Sequence, residues 1–303
     1  MFHESIKVDV SAEDLGNRAS SCPFCNGIKL VGTGTNVQTE PVVEYLECHN
    51  CFAYFTDRAP TASYLAKFYH NTIYEGTISK SDALAIRLAN SILGGPVHEV
   101  LTGTSSRLHV MDFGGGSGSL GLAIKHRLGR PDTRITLVDL YEPRGYSGID
   151  FLTPEELLSS RNSSFDLIVL SAVIEHLAQP GAVIADLYQR VRTGGFIYFR
   201  APSLFPLGKL RPNLLRWPEH LSDLPHRFWH ELPRSLGWKV EIVKSCPSQT
   251  SDRFRDNFLA ALLANFMKLP GYLEASISEL TDWRYRPKYQ CAGGWDIVYQ
   301  KME

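Results

Sequence analysis

An α/β fold built on one doubly wound, mostly parallel sheet of seven strands is predicted by three observations. An apolar run, Val110-Met111-Asp112-Phe113, passes through an acid into the turn Gly114-Gly115-Gly116-Ser117-Gly118 and then into a helix at Leu120 to Leu128. Such strand–glycine turn–helix units open doubly wound domains. β-rich runs then recur near 134–139, 147–150, 166–171, 195–200 and 238–244, with helical stretches between several of them. A last apolar run, near 294–300, opens with Gly293-Gly294-Trp295 and fits a reversed edge strand.

From the N-terminus, residues 1–60 read as a tail followed by a small ribbon. Met1 to Ser20 is too polar and acidic for a signal peptide. Cys22-Pro-Phe-Cys25 and Cys48-His-Asn-Cys51 are separated by the 22 residues from Asn26 to Glu47. Paired C-x-x-C knuckles at this spacing give four thiolates the tetrahedral reach that zinc takes. Lys29 to Thr35 and Val42 to Glu47 read as short strands between them, which makes a zinc ribbon. Two disulfides are the alternative, and they conflict with a reducing compartment. Four thiolates leave no open coordination position, so the metal is expected to hold shape. Structural zinc supplies on the order of 10 kcal/mol to a segment too small for its own core. Cys246 and Cys291 read as ordinary thiols. Residues 61–105 are expected to be a helical connector, with helices at Ala62 to Tyr69 and Ser81 to Leu93 and a break at Gly94-Gly95-Pro96.

Residues 106–303 form the expected main domain. Its glycine turn satisfies two patterns. Gly116-Ser117-Gly118-Ser119-Leu120-Gly121 fits the G-x-G-x-x-G dinucleotide fingerprint, and Gly114, Gly116 and Gly118 fit G-x-G-x-G with an acid two residues earlier. The acid after the second strand, Asp139, serves either pattern. The run Phe165-Asp166-Leu167-Ile168-Val169-Leu170-Ser171-Ala172-Val173-Ile174-Glu175-His176-Leu177 separates them. It is followed by a helix (Ala182 to Val191), Thr193-Gly194-Gly195, a strand (Phe196 to Phe199) and Ala201-Pro202.

As a set, these motifs resemble class I S-adenosylmethionine-dependent methyltransferases, in particular those similar to ubiquinone-biosynthesis enzymes, over roughly residues 106–245. The resemblance implies a Rossmann-like sheet and S-adenosylmethionine as cofactor. It implies contacts from Asp112, Gly114, Gly116, Gly118, Asp139, Asp150, Phe151 and Ser171, with Asp150 after the third strand serving the adenine amino group. A ribbon, a Phe-Tyr…Tyr stretch and this core together resemble zinc-binding methyltransferases associated with sugar or polysaccharide modification. That resemblance implies a nucleotide-sugar, glycan or related small-molecule acceptor, methylated at a hydroxyl.

A hydroxyl acceptor needs a general base, which typically contributes roughly 10²–10⁴-fold. Histidine is suited to that task, and the candidates are His176, His226 and His230, with His220 beside them. For His176, a structural contact with cofactor or loop is the competing role. Arg200, Lys209, Arg211, Arg216, Arg227 and Arg234 either clamp a diphosphate or make ordinary surface ion pairs. The insertion 246–293 is expected at the carboxyl edge as a substrate lid. Its helix, Phe254 to Met267, carries a stripe (Phe258, Leu259, Leu262, Leu263, Phe266) expected to face a core. Trp283, Tyr285 and Tyr289 either stack on substrate or pack.

Composition narrows the rivals. The chain has 303 residues, 44% hydrophobic and 21% charged, with a net charge of −1. That balance supplies no global field for a polyanion, and no apolar run reaches the ~18 residues of a membrane span. Cytoplasmic residence follows as the default. An RNA or protein methyltransferase reading its target through the ribbon is the main alternative, although 21–58 offers only Lys29 and Arg58 against Glu40, Glu44, Glu47 and Asp57. A natural-product O- or C-methyltransferase, a hydride-transfer enzyme and a scaffold without activity are the others. No motif speaks to an oligomer.

Overall fold

The computed structural model describes residues 10–36, 42–69, 82–143, 148–160, 164–203, 217–247 and 293–303, together with 262, 266 and 269. Two sheets organise them. Strands β1 (Leu30–Asn36), β2 (Val43–Cys48) and β3 (Tyr54–Thr56) form an antiparallel ribbon, and a fourth strand, β9 (Ser222–Asp223), joins its edge. The main sheet contains β4 (His109–Phe113), β5 (Arg134–Val138), β6 (Asp150–Leu152), β7 (Phe165–Ser171), β8 (Val191–Ser203), β10 (Val240–Pro247) and β11 (Gly293–Lys301).

The order in the main sheet is β10-β11-β8-β7-β4-β5-β6, with β11 antiparallel to both neighbours and the rest of the pairings parallel. This is the seven-stranded doubly wound sheet that the sequence predicts. The chain runs outward from β4 through β5 to β6, then returns to β7 on the other side. The reversal between β4 and β7 opens a crevice at the carboxyl ends of the strands, where ligands bind in such folds.

Side chains that alternate along each strand feed two apolar layers. Val110, Leu167, Val169 and Tyr198 face one cluster with Leu88 and Ile92 of α2 (Asp82–Ile92), Val97 and Leu101 of α3 (Pro96–Gly103), and Leu120 and Ile124 of α4 (Ser119–Leu128). Met111, Ile168, Leu170, Ile197 and Phe199 face the other. There they meet Ile184 and Leu187 of α6 (Pro180–Arg190), and Phe228, Trp229 and Leu232 of α7 (His226–Ser235). The ribbon residues Cys22, Phe24, Cys48, Cys51 and Phe55 belong to this second cluster. Phe24 meets Phe228 edge-on at 4.9 Å, and the Gly181 amide donates to the Pro23 carbonyl at 2.9 Å. The ribbon therefore shares its core with the main sheet, because a segment of this size cannot enclose one alone.

Several elements differ from expectation. The break at Gly94-Gly95-Pro96 opens a helix, with Gly95 at φ +56° as its cap and Pro96 in its first turn. A short helix, α5 (Pro154–Ser159), starts on a capping box between Thr153 and Glu156. The third strand of the main sheet is Asp150–Leu152, so Asp150 opens that strand instead of closing it. Most of the insertion 246–293, including Trp283, Tyr285, Tyr289 and Cys291, lies outside the described residues. Leu262 and Phe266 are helical and 50% and 70% exposed, so these two positions of the stripe face solvent, with no layer over them among the described residues, and Leu269 beyond the stripe is 46% exposed. No helix among the described residues is long and apolar enough to cross a membrane.

Candidate active site and cysteine cluster

The glycine turn is packed from below and open above. Gly114, Gly116 and Gly118 lie at φ +65°, +58° and +74°, a region that side chains disfavour. A Cβ on Gly114 would stand 2.6 Å from Val173 Cγ2, and one on Gly118 would stand 2.8 Å from Ile149 Cδ1. At Gly116 such an atom would meet nothing within 4 Å. That open side adjoins the start of α4, whose cap Gly118 supplies no side-chain hydrogen bond. Backbone amides at a helix start are donors suited to a polar ligand.

The two acids beside the turn have different tasks. Asp112 is fully buried, and its Oδ2 accepts the Gly121 amide at 3.0 Å. Its carboxylate fills the space that a Cβ on Gly115 would need, at 2.4 Å from Cγ. Asp112 therefore braces the turn from beneath. Asp139 reaches over to accept the Gly116 amide at 2.7 Å and also takes the Leu140 amide at 2.7 Å. It is half-buried at the crevice.

Asp150 calls for a correction. It pairs with Thr136, two residues before the end of β5, and its exposed carboxylate bonds Arg134 at the opposite end of that strand. Leu152 pairs with Val138 at the end of β5, and the Asp139 amide, one residue on, donates to the Leu152 carbonyl at 3.2 Å. Phe151 sits mid-strand and half-buried. Ser171 closes β7 and is buried. Ala172, directly after it, holds φ +58° while its amide donates to the Arg200 carbonyl at 2.7 Å. A strained alanine at this edge turns the chain sharply into Glu175 and His176.

The histidines fall into two groups. His176 Nδ1 lies 2.6 Å from the Glu219 carbonyl oxygen, an acceptor, so Nδ1 carries the proton and donates. Its Nε2 lies 3.6 Å from Oε1 of the buried Glu175. His220 packs against the same ring at 4.9 Å, and Tyr69 packs against it at 5.9 Å. Glu175, His176 and His220 each bring one carboxylate oxygen or ring nitrogen within 4.8 Å of the others. Tyr69 also donates its hydroxyl to the Glu219 carbonyl at 3.3 Å, and burial pushes its pKa up. The other group is His226 and His230, one helical turn apart on α7. Their Nε2 atoms are 3.1 Å apart, with Ser245 Oγ 3.0 Å from His226, whose ring packs on Trp295.

Three of the six basic residues expected as a diphosphate clamp have protein partners. Arg227 stacks over Phe52 at 3.4 Å, Arg234 pairs with Glu231 at 3.3 Å, and Arg200 lies 3.8 Å from Asp296. Lys209, Arg211 and Arg216 lie outside the described residues.

The four cysteine thiols converge. Sγ atoms of Cys22 and Cys51 are 3.5 Å apart, those of Cys25 and Cys48 are 3.7 Å apart, and all four lie within 4.8 Å. Thiolates about 2.3 Å from one tetrahedral ion stand roughly 3.8 Å apart. The two knuckles repeat one geometry. Asn26 donates its amide to the Cys22 carbonyl and Phe52 to that of Cys48, and both residues have positive φ. Hydrogen bonding within the cluster, from Cys22 first, pulls the Cys25 thiol below its ordinary value and pushes Cys51 above it.

Comparison with known proteins completes the picture. The (4+2)-cyclase SpnF superposes with a TM-score of 0.51 at 16% identity, over 80% of this chain and 97% of its own. Burkholderia thailandensis 1,6-didemethyltoxoflavin-N1-methyltransferase, solved with that substrate and S-adenosylhomocysteine, gives 0.50 at 16% identity, over 83% and 96%. These likenesses show the fold, which a cyclase and a methyltransferase share. No curated protein matches the chain. Sheet, crevice and family model together define a class I S-adenosylmethionine-dependent methyltransferase. Residues 87–241, just over half of the chain, match the family model described as a methyltransferase domain, and the chain belongs to that family.

Proposed function

We propose that this enzyme methylates a hydroxyl of a sugar, such as a nucleotide-sugar or glycan unit, or of a related small molecule, with zinc held by Cys22, Cys25, Cys48 and Cys51. The observation that carries the cofactor assignment is the open space over Gly116 beside Asp139. A carboxylate accepts about four hydrogen bonds, so Asp139 can take ribose hydroxyls while keeping the Gly116 and Leu140 amides. Asp112 acts through the turn as a positioning residue, and Gly114, Gly116 and Gly118 let the backbone approach the ligand. Bound S-adenosylmethionine supplies an electrophilic methyl group on a sulfonium.

The acceptor is assigned to the rim formed by Glu175, His176 and His220. A neutral His176 that donates through Nδ1 presents Nε2 as its basic nitrogen. The acceptor proton moves to Nε2, and the neighbouring Glu175 carboxylate favours the imidazolium so formed. Amines need less help of this kind, so a histidine–carboxylate pair here favours a hydroxyl. The His226–His230 pair remains a second candidate base. The four cysteine thiols suit a closed structural zinc site. Tying of Arg18 and Arg58 to Asp57 leaves the ribbon a weak phosphate surface and counts against an RNA target.

Calorimetry with S-adenosylhomocysteine is expected to show micromolar-range binding, and no heat with NADH. The converse result would reverse the assignment. Methyl transfer to hydroxyls in a nucleotide-sugar and glycan panel should then fall as pH drops through the histidine range and vanish in His176→Ala.

A further inference from the structure

The ribbon sheet continues into the acceptor rim. Ser222 and Asp223 pair with Phe55 and Tyr54 of β3, and the residues just before them carry the contacts that hold His176. Leu221 is pinned on both sides: its carbonyl accepts the Thr56 amide at 3.0 Å, and its amide donates to the Glu175 carbonyl at 2.8 Å. Two residues upstream, the Glu219 carbonyl accepts His176 Nδ1 and the Tyr69 hydroxyl. On the far side, the buried Asp223 accepts the Ser203 hydroxyl at 2.6 Å, which ties β9 to the end of β8.

β3 is three residues long and follows directly on the second cysteine knuckle, where the Cys48 amide donates to the Ala53 carbonyl at 2.9 Å. So short a strand takes its position from what anchors its ends. We propose that the cysteine ribbon is a positioning element for His176. In this arrangement metal on the four thiolates fixes β3, β3 fixes residues 219–221, and the Glu219 carbonyl fixes which imidazole nitrogen carries the proton. Thr56 and Leu221 act through their backbone groups and touch no reacting atom. The inference rests on the zinc assignment and on His176 as the base proposed above.

Nitrogen NMR of the histidine rings in the full chain tests it without any acceptor. His176→Gln identifies the resonance, and S-adenosylhomocysteine calorimetry runs in parallel. Zinc-loaded protein should show His176 protonated at Nδ1. Chelation should move it to a mixture of tautomers, while the affinity for S-adenosylhomocysteine changes by less than about threefold, because the glycine turn stands on other strands. Thr56→Pro, which deletes one amide and keeps all four cysteines, should shift the tautomer with zinc still bound. Thr56→Ser should leave it alone. An Nδ1–H tautomer that persists after chelation, or purified protein without zinc, overturns the proposal. If Thr56→Pro does not fold, the chelation result decides. Failure of the loaded protein to bind S-adenosylhomocysteine would defeat the cofactor assignment instead, whatever His176 does.

Discussion

The two rims of the carboxyl edge are made by opposite means. The rim proposed for the cofactor comes from residues 112–121 and Asp139, where three glycines at positive φ and two acids set the geometry almost within one turn and its neighbour. The rim proposed for the acceptor is assembled from Tyr69, Glu175, His176 and the 219–221 segment, held in turn by a ribbon strand at 54–56. The first is local and self-contained. The second depends on contacts across more than a hundred residues. A donor site shared by many enzymes can thus be written compactly, while acceptor sites are composed from whatever segments each chain brings to the edge.

The largest effect expected on this contrast comes from the cysteines. Structural zinc contributes on the order of 10 kcal/mol to such segments. Cys51→Ser should therefore lower Tm more than any change at the glycine turn, with loss of bound zinc by elemental analysis. An unchanged Tm would detach the ribbon from the stability of the core.

Next comes a pair on the glycine turn. Gly114→Ala combines the ~1–2 kcal/mol of a left-handed alanine with ~1–3 kcal/mol of crowding against Val173, and denaturant unfolding should show a loss of both. Gly116→Ala carries only the first cost, about 1–2 kcal/mol, yet places its methyl where the ligand approaches. Calorimetry should show about a tenfold or greater loss of S-adenosylhomocysteine affinity. Equal affinity in the Gly116 variant would remove the open side of the turn from the site.

A smaller effect should appear at the opposite end of the sheet. His109 packs on Phe165 at 4.2 Å, and its Nε2 lies 2.8 Å from Thr136 Oγ1. Burial lowers its pKa, and nearby Arg134 acts in the same direction. The unfolded chain then takes up a proton first, below about pH 6.5. The contribution of His109 to stability is thus fully present above that value and is lost as pH falls toward the lower folded one. Urea midpoints should decline on this limb, and His109→Gln should flatten it. The smallest change is expected from Asp150→Ala: its pair with Arg134 is exposed and worth ~0–1 kcal/mol, so S-adenosylhomocysteine binding should stay as it was. A large loss there would return Asp150 to the cofactor rim.

Much of the scaffold was legible in order. Apolar, β-rich runs at Phe165–Ser171 and Arg134–Val138 marked strands buried on both faces, and the helix at Ala62–Tyr69 has the bounds its pattern suggested. The unforeseen helix α5 did carry a signal, the capping box at Thr153-Pro154-Glu155-Glu156, which explains why β6 ends at Leu152. Asp150 misled because a three-residue strand has too few side chains to show where it begins. His220 carried a signal as a histidine after the fifth strand, whereas Tyr69 lay in an aromatic stretch with nothing to tie it to His176.

By itself the sequence determined the seven-stranded sheet, the glycine turn and the pairing of the cysteine knuckles, because side-chain period, left-handed glycine and thiol spacing are properties of neighbouring residues. Only the tertiary structure decided that Asp112 braces the turn from below, that residues 222–223 finish the ribbon, and that the Glu219 carbonyl holds His176. The last two roles belong to backbone groups, which every residue carries alike, and all three depend on partners that meet only when the chain folds.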